Sequence, residues 1–297
     1  MTQRSPILAV HGGAGTAPTQ GEAHAARERA LIAALGAGWT VLASGGRALD
    51  AVEQAVASME RSGRFNAGRG AVVDASGAAT LDAAIMDGAT RAAGAVGAVG
   101  RIATAVSAAR LVMDRTHHVL LVGAAADDFA LAAGVAPATA GFFLNVGGGS
   151  ASEAVPGTVG AVALDSAGQL AAATATGGLS GKLSGRVGDS AVVGAGTWAD
   201  AYCAVSATGR GEFFIRTAFA HGVACGMSGL GLPLAEAARR ALADVVALAG
   251  NGAAGGGCIA VARDGTVTMP FSTPSMYRGI VDGSGAPRVA ALPDPRF

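Results

Sequence analysis

A glycine-rich stretch, residues 141–157, interrupts the pattern of helices and strands near the middle of the chain. It contains the run Gly147-Gly148-Gly149-Ser150, a composition typical of a flexible linker. Two strand signals follow at once, at residues 158–164 and 169–176, and a four-residue turn at 165–168 joins them. The stretch therefore divides the chain into two halves, and the second half begins with a hairpin.

The order of elements on the two sides of this stretch predicts a layered α+β fold. The first half has strand signals at residues 6–10, 71–74, 80–86 and 94–100, and helical spacing at 22–44, 49–59, 102–114 and 127–133. The segment 119–122 is apolar and fits either type. The second half adds strands at 203–208, 258–262 and 266–270 with helices at 212–223 and 234–248. Such an order indicates a sandwich of sheets covered by helices.

Composition excludes several classes of protein. The 297 residues include 21 basic and 21 acidic side chains, so the net charge is zero, and hydrophobic residues make up 51%. This balance argues against disorder, and against nucleic acid or an anionic membrane as a partner. The three cysteines form no CxxC motif, and the apolar run before His11 is too short for a signal peptide. We therefore expect a cytoplasmic protein.

Common cofactor motifs fail when they are tested residue by residue. Pro18 stands where a dinucleotide-binding loop needs its third glycine. Gly181-Lys182 looks like the end of a phosphate-binding loop, but Leu183 replaces the residue that would bind magnesium. The histidine and aspartate pairs lack the spacing of transition-metal ligands. We expect no organic cofactor.

Thr158 is the residue at which chemistry can begin, because it follows Pro156-Gly157 directly. A threonine hydroxyl is a poor nucleophile unless a base lies beside it, and the α-amine of an N-terminal threonine can be that base. A glycine before the threonine lets the peptide twist until Oγ1 can attack the Gly157 carbonyl. The alternative is that Thr158 merely starts a strand, where threonine is common.

Six motifs stand in the order of a known family: HGGAG at 11–15, FNAGRGAV at 65–72, LDAAIMDG at 81–88, GTVGAVALD at 157–165, TGGLSGKLSGRVGDS at 176–190 and GAG at 194–196. With them the chain resembles the plant-type L-asparaginases, or isoaspartyl peptidases, of the N-terminal nucleophile hydrolase superfamily. The resemblance covers residues 7–278. It implies a single-domain, four-layer αββα sandwich that cuts itself between Gly157 and Thr158. The products would be an α subunit, 1–157, that ends in the linker, and a β subunit, 158–297.

The resemblance also implies the residues of the reaction centre. Thr158 would be the nucleophile, and Thr176 and Asn66 would orient it. The hydroxyl of Thr208 and the backbone N–H of Gly209 would stabilise the oxyanion.

A second group of residues would bind the head group of an amino acid. By resemblance, Arg186 would bind the α-carboxylate, and Asp189 with the backbone near Gly211 would hold the α-ammonium. The residues alone leave two simpler readings open. Arg186 and Asp189 could form a structural ion pair, and Thr176 and Thr208 could be ordinary strand residues.

The resemblance further implies a structural sodium ion and a dimer of αβ units. Two departures from the family pattern stand near the site: Arg210 replaces a small or neutral residue, and Ala191 replaces a proline. The linker is also short. The sodium ion would be bound by backbone carbonyls of Met59, Glu60, Ser62, Phe65, Ala67 and Arg69.

The expected activity is hydrolysis of L-asparagine to aspartate and ammonia, together with cleavage of β-aspartyl (isoaspartyl) dipeptides. Asp82 and Asp87 are given no catalytic role. A glycosylasparaginase-like amidase is the alternative within the class, and a ligand-binding relative that does not cleave itself is the alternative outside it.

Overall fold

The computed structural model describes residues 4–144, 157–250 and 255–295. Within these ranges the chain forms two sheets, seven α-helices and two short 3-10 turns. The strands are β1 (Ile7–Gly15), β2 (Leu81–Asp87), β3 (Ala93–Val99), β4 (Leu120–Val122), β5 (Val159–Leu164), β6 (Leu170–Thr176), β7 (Thr197–Ala199), β8 (Cys203–Gly209), β9 (Gly256–Ala262), β10 (Val267–Thr268), β11 (Ser275–Val281) and β12 (Arg288–Ala290). The helices are α1 (Glu22–Ala43), α2 (Ala48–Ser62), α3 (Ala105–Arg115), α4 (Gly123–Ala132), α5 (Gly211–Thr217), α6 (Phe219–Leu230) and α7 (Leu234–Ala249).

The two sheets differ in size and in which part of the chain supplies them. The eight-stranded sheet has the order β12-β11-β1-β5-β6-β2-β3-β4, and the four-stranded sheet has the order β10-β9-β8-β7. Neighbouring strands run antiparallel except β3 and β4. The strand that follows Gly157, β5, lies near the middle of the larger sheet between β1 and β6. The candidate nucleophile is therefore placed at the end of a central strand.

The sheets pack face to face, and helices cover their outer surfaces. α1, α2 and α3 contact the larger sheet, α6 and α7 contact the smaller one, and β5 packs on β8 and β9. Side chains alternate along β5: Val159 and Ala161 face the helices, whereas Val162 and Leu164 face the second sheet. Because both faces are covered, the strand is apolar throughout. The αββα sandwich expected from the sequence is confirmed.

Several local predictions are corrected by the structure. The predicted glycine loop after residue 10 is part of β1, which continues to Gly15 with a bulge between His11 and Gly13. Residues 71–74 form no strand and contribute only a single bridge between Val73 and Ala79. The predicted helix at 212–223 is two helices, because Ala218 adopts a left-handed conformation with φ of 47°.

Most of the predicted linker cannot be compared with the structure, since residues 145–156 lie outside the described ranges. Residues 119–122, which the sequence left ambiguous, form the edge strand β4 followed by α4. The hairpin turn at 165–168 is confirmed by a hydrogen bond from the N–H of Gly168 to the carbonyl of Asp165.

In the described part of the chain, no helix is both long and apolar enough to cross a membrane.

Candidate active site

Thr158 lies one residue before β5 and is buried, with 6% of its surface exposed. Its hydroxyl donates to Oγ1 of Thr176 over 3.3 Å. The two threonines meet because β5 and β6 pair antiparallel, with Val159 opposite Ala175. Gly157 lies against β1: a Cβ built on Gly13 would come within 2.5 Å of the Gly157 nitrogen. A side chain at position 13 would therefore displace the backbone at the predicted cleavage site.

Asn66 is connected to Thr158, the candidate nucleophile, through a loop. Its side-chain amide donates to the carbonyl of Gly178 at 2.6 Å, and its own carbonyl accepts the N–H of Gly177 at 2.8 Å. The N–H of Gly178 then donates to Oγ1 of Thr176 at 3.0 Å. Asn66 thus fixes the loop that fixes Thr176, which in turn contacts Thr158. This indirect connection refines the role that the resemblance implied.

The Thr208 hydroxyl has the hydrogen-bonding pattern that an oxyanion donor requires. Its oxygen accepts the N–H of Ala14 at 3.2 Å, so its own proton can be donated elsewhere. A Cβ built on Gly157 would lie 3.8 Å from this oxygen, which places the hydroxyl beside the predicted cleavage site. Gly209 follows at the end of β8. The Thr208 hydroxyl is therefore available as a donor beside the predicted cleavage site.

Arg186 pairs with Glu212, not with Asp189, so the simple ion pair considered from the sequence does not form. Nε and Nη2 of Arg186 both lie 3.0 Å from Oε1 of Glu212. Burial raises the pKa of the Glu212 carboxyl, but the hydrogen bond from Arg186 and the charges of Arg186 and Arg210 together outweigh burial, so the pKa is lowered. The adjacent edge of the guanidinium, formed by Nη1 and the second N–H of Nη2, can still present two parallel donors to a carboxylate. Sequence reasoning missed Glu212.

Asp189 is a buried carboxyl with an oxygen that the protein does not satisfy. It is 3% exposed, and Oδ2 has no hydrogen-bond partner among the described residues. Burial raises its pKa to about 7, against the opposing effect of the Arg186 guanidinium. A Cβ at Gly211 would lie 2.6 Å from Oδ1 of Asp189 and 2.9 Å from Nη2 of Arg186. The space between these two charged groups is therefore open only because residue 211 is glycine.

Lys182 is a second residue that sequence reasoning did not place in the site. Its ammonium donates to the carbonyls of Thr80 and Gly177, both at 3.0 Å, and the residue is 5% exposed. Burial lowers the pKa of this group, and the charge of Asp82 acts in the opposite direction. The available signal was its uniqueness, since every other basic residue is arginine. A compact ammonium fits between two carbonyls where a planar guanidinium does not.

Arg210 does not enter the space between Arg186 and Asp189. Half of its side chain is exposed, its Nε lies 3.8 Å from Oε2 of Glu212, and its guanidinium lies 5.9 Å from the ring centre of Phe213. The carboxylate of Glu212 thus stands between two arginines. Asp82 accepts the backbone N–H of Gly188, in agreement with a structural role.

The loop predicted to bind sodium folds tightly against the end of α2. A Cβ at Gly68 would lie 2.5 Å from the carbonyl oxygen of Glu60, so the chain returns close to the helix. Several of the predicted carbonyls already accept a hydrogen bond: Met59 from Ser62, Phe65 from Ala67, and Ala67 from Gly70. Each carbonyl has a second lone pair, and neutral oxygens suit a hard cation. Across residues 4–144, 157–250 and 255–295, no three His, Cys, Asp or Glu side chains cluster as metal ligands.

A threonine at the head of a central strand, within an αββα sandwich and beside an available hydroxyl donor, defines the class of N-terminal nucleophile hydrolases. The sequence profile described as Asparaginase matches residues 4–147 and 144–291. The chain belongs to this asparaginase family.

Similar proteins carry names that agree with this membership. The chain is 43% identical to an isoaspartyl peptidase of Salmonella typhimurium, covering 92% of this chain and 94% of that protein. It is 35% identical to a probable isoaspartyl peptidase/L-asparaginase 2 of Arabidopsis thaliana, covering 95% and 98%. It is 42% identical to the human isoaspartyl peptidase/L-asparaginase, covering 71% and 73%.

Proposed function

We propose that the protein is an autoprocessing amidohydrolase that hydrolyses L-asparagine and β-aspartyl dipeptides. The observation that carries the proposal is the position of Thr158: its buried hydroxyl contacts Thr176, and the residue before it lies beside the Thr208 hydroxyl. The names of the relatives support the same two substrates. The first reaction is the cleavage of the chain itself.

In that cleavage, Oγ1 of Thr158 attacks the Gly157 carbonyl carbon, and the peptide nitrogen leaves as the free amine of Thr158. Water then hydrolyses the resulting ester and releases the carboxyl group of Gly157. The new α-amine, with a pKa near 8 in an unperturbed chain, lies on the same residue as Oγ1 and can act as its base. The products are subunits 1–157 and 158–297.

In the second reaction, the Thr158 hydroxyl attacks the side-chain carbonyl carbon of asparagine and gives its proton to the α-amine. The oxyanion is stabilised by the Thr208 hydroxyl and the Gly209 N–H, and ammonia leaves with a proton. Water hydrolyses the acyl-enzyme to aspartate. A β-aspartyl dipeptide reacts in the same way, with an amino acid as the leaving group, because its aspartyl part has the same free α-carboxylate and α-ammonium.

The head group of the substrate would occupy the space between Arg186 and Asp189. The α-carboxylate accepts two bonds from the Nη1–Nη2 edge of Arg186, whose other edge Glu212 holds in place. The α-ammonium pairs with Asp189, whose Oδ2 has no other partner in the described chain. Gly211 leaves room for both contacts. Recognition of a free amino-acid head group follows from these two opposite charges.

Two further proposals concern the environment of the enzyme. Three unpaired cysteines, Cys203, Cys225 and Cys258, suit the reducing cytoplasm.

A sodium ion bound by the loop after α2 would stabilise the segment that carries Asn66. Its test is thermal unfolding in sodium chloride and in choline chloride at equal ionic strength, and a higher midpoint in sodium would support the ion.

Mass spectrometry of the purified protein tests the proposed function. We expect two fragments that meet between Gly157 and Thr158, together with release of ammonia from asparagine. Thr158→Ala should abolish both reactions because both need the same oxygen, and Thr158→Ser should retain part of each. An intact wild-type chain after long incubation would instead support a ligand-binding relative.

Substrate analogues with a blocked α-amine or an amidated α-carboxylate test head-group recognition. The wild type should hydrolyse them poorly, and Arg186→Lys should weaken hydrolysis of asparagine while self-cleavage continues, because the Gly157–Thr158 bond has no free head group. A wild type that hydrolysed the blocked substrates as fast as asparagine would exclude this assignment and would fit a different amidase, such as one resembling glycosylasparaginase.

A further inference from the structure

The carbonyl group of Thr158 is bound by a side chain from another strand. Nδ1 of His11, on β1, lies 3.1 Å from this oxygen. After self-cleavage Thr158 has no residue before it, and a chain terminus is loosely held unless contacts fix it. The contact with His11 therefore holds the backbone of Thr158 on the side that stays joined to the chain.

His11 is itself the end of a buried row of hydroxyl groups between the two sheets. Its Nε2 lies 2.9 Å from Oγ of Ser206, which lies 2.7 Å from Oγ1 of Thr174, which lies 2.7 Å from Oγ1 of Thr197. All five side chains, with Thr158, are buried. The row connects β1, β8, β6 and β7, so four strands contribute to it.

The direction of every hydrogen bond in this row follows from the Thr158 carbonyl, which His11 contacts. A carbonyl oxygen only accepts, so Nδ1 of His11 must carry the proton. Burial lowers the pKa of His11 to about 3, although the bond to Thr158 opposes this effect, so the ring is neutral and has a single N–H. Nε2 is then an acceptor, and the Ser206 hydroxyl must donate to it. Thr174 consequently donates to Ser206 at 2.7 Å, a shorter contact than its 3.2 Å to the Gly196 carbonyl. Thr197 donates to Thr174 at 2.7 Å, a shorter contact than its 3.4 Å to the Ser190 carbonyl.

Hydrogen bonds that point the same way polarise one another, so this row strengthens the donor that reaches Thr158. The surrounding chain also leaves room for it. A Cβ built on Gly160 would collide with both Oγ of Ser206 and Nε2 of His11. A glycine two residues after the nucleophile thus keeps open the place that the His11–Ser206 bond occupies.

We infer that His11 is a positioning residue for the nucleophile: its Nδ1–H, aligned by Ser206, Thr174 and Thr197, holds the Thr158 carbonyl and so sets the direction of the hydroxyl and amine on the same residue. The inference rests on the proposed function. It concerns geometry at Thr158 only, because His11 has no contact with Arg186 or Asp189 among the bonds described above.

Two variants of His11 are matched for the test. In His11→Asn the amide nitrogen can take the place of Nδ1 and donate to Thr158, but the bond to Ser206 is lost. In His11→Gln the amide group takes the place of Nε2 and contacts Ser206, but the bond to Thr158 is lost. Each variant keeps one of the two bonds, so a difference in rate between them reports the contact with Thr158 rather than a general loss of stability.

We expect His11→Gln to be at least about tenfold slower than His11→Asn, in self-cleavage and in kcat for asparagine, because small displacements of a reacting group are costly. The KM for asparagine should stay within about twofold in both variants, since the head-group residues are unchanged. Thermal midpoints are measured for both. Ser206→Ala and Thr174→Val should lower kcat progressively less, because each breaks the row farther from Thr158.

The inference is overturned if His11→Gln matches or exceeds His11→Asn, if both behave as the wild type, or if KM changes instead of kcat. A variant that is never cleaved still gives a result, because the rate of self-cleavage is itself measured. Cleavage of His11→Asn without cleavage of His11→Gln supports the inference. Absence of cleavage in both variants contradicts it. The wild type and Thr158→Ala are assayed in parallel. A wild type that neither cleaves nor hydrolyses would refute the proposed function, whereas an active wild type with unaffected His11 variants refutes only this inference.

Discussion

At the scale of single residues, the site combines charged groups whose states depend on one another. Asp189 has a raised pKa of about 7 because it is buried, its Oδ2 has no hydrogen-bond partner among the described residues, and its Oδ1 borders the space left by Gly211. Arg186 is held by Glu212 and not by Asp189. The carboxyl of Asp189 is thus near the point of ionisation at neutral pH, and an incoming ammonium group favours the charged form.

This environment predicts a pH dependence of substrate binding. Below about pH 7, Asp189 in the free enzyme is protonated and cannot pair with an ammonium group, so the KM for asparagine should rise as the pH falls. In the bound complex the ammonium keeps Asp189 ionised, so this ionisation should be absent from the pH profile of kcat. Steady-state kinetics between about pH 5.5 and pH 8 will measure both profiles.

The control is a competitive inhibitor that has the carboxylate and the side-chain amide of asparagine but no amine. Its inhibition constant should not improve as the pH rises through 7, because it offers no cation to Asp189. A KM for asparagine that stays constant over the same range would show that Asp189 does not bind the ammonium group.

At the scale of elements, the hinge between α5 and α6 has an unusual residue. Ala218 has φ of 47°, a left-handed conformation that costs an L-residue about 1–2 kcal/mol, whereas glycine adopts it freely. This residue ends α5, the helix that begins with Gly211 and Glu212. The strained residue therefore ends the helix that carries Gly211 and Glu212, two residues that border the proposed head-group site.

Ala218→Gly should stabilise the protein by about 0.5–1 kcal/mol, because relief of the strained φ exceeds the added entropy of the unfolded chain. The matched control is Ala243→Gly, an exposed position inside α7, where the same change should destabilise by about 1 kcal/mol. Denaturant unfolding of both variants measures the two values. Equal destabilisation by both would mean that Ala218 is not strained in solution.

At the scale of the whole molecule, the two expected subunits share one sheet. Strands β1 to β4 precede the predicted cleavage site and β5, β6, β11 and β12 follow it, yet β11 pairs with β1, β1 with β5, and β6 with β2. Three borders between neighbouring strands therefore join the two pieces. Cleavage removes one peptide bond and leaves every one of these ladders intact.

The cleaved pieces should consequently remain together. We expect residues 1–157 and 158–297 to coelute in size-exclusion chromatography and to separate only in denaturant, with one cooperative unfolding transition. Light scattering on the same sample should give the mass of two αβ units, the dimer implied by the resemblance. Subunits that separate without denaturant would contradict the shared sheet, and a mass of one αβ unit would contradict the dimer.

Much of the local structure could be predicted from the sequence because its signals are local. Apolar runs after Gly157, separated by turn residues, predicted β5, β6 and the turn between them, and helical spacing predicted α1, α2 and α7. Predictions failed where the signal was weak or distant. β11 and β12 were not predicted, and the helix at 212–223 concealed the break at Ala218, since alanine gives no sign of a left-handed turn.

Hydrophobic periodicity was enough to predict most helices and strands of a layered α+β fold, and the short motifs identified Thr158 as the candidate nucleophile and, through the family resemblance, the αββα class. The tertiary structure alone decided which groups meet. His11 contacts residues 147 and 195 positions away, Lys182 contacts a carbonyl 102 positions away, and Glu212 rather than Asp189 pairs with Arg186. Such contacts depend on strand order and register, which are set by packing across the whole chain and leave no local pattern.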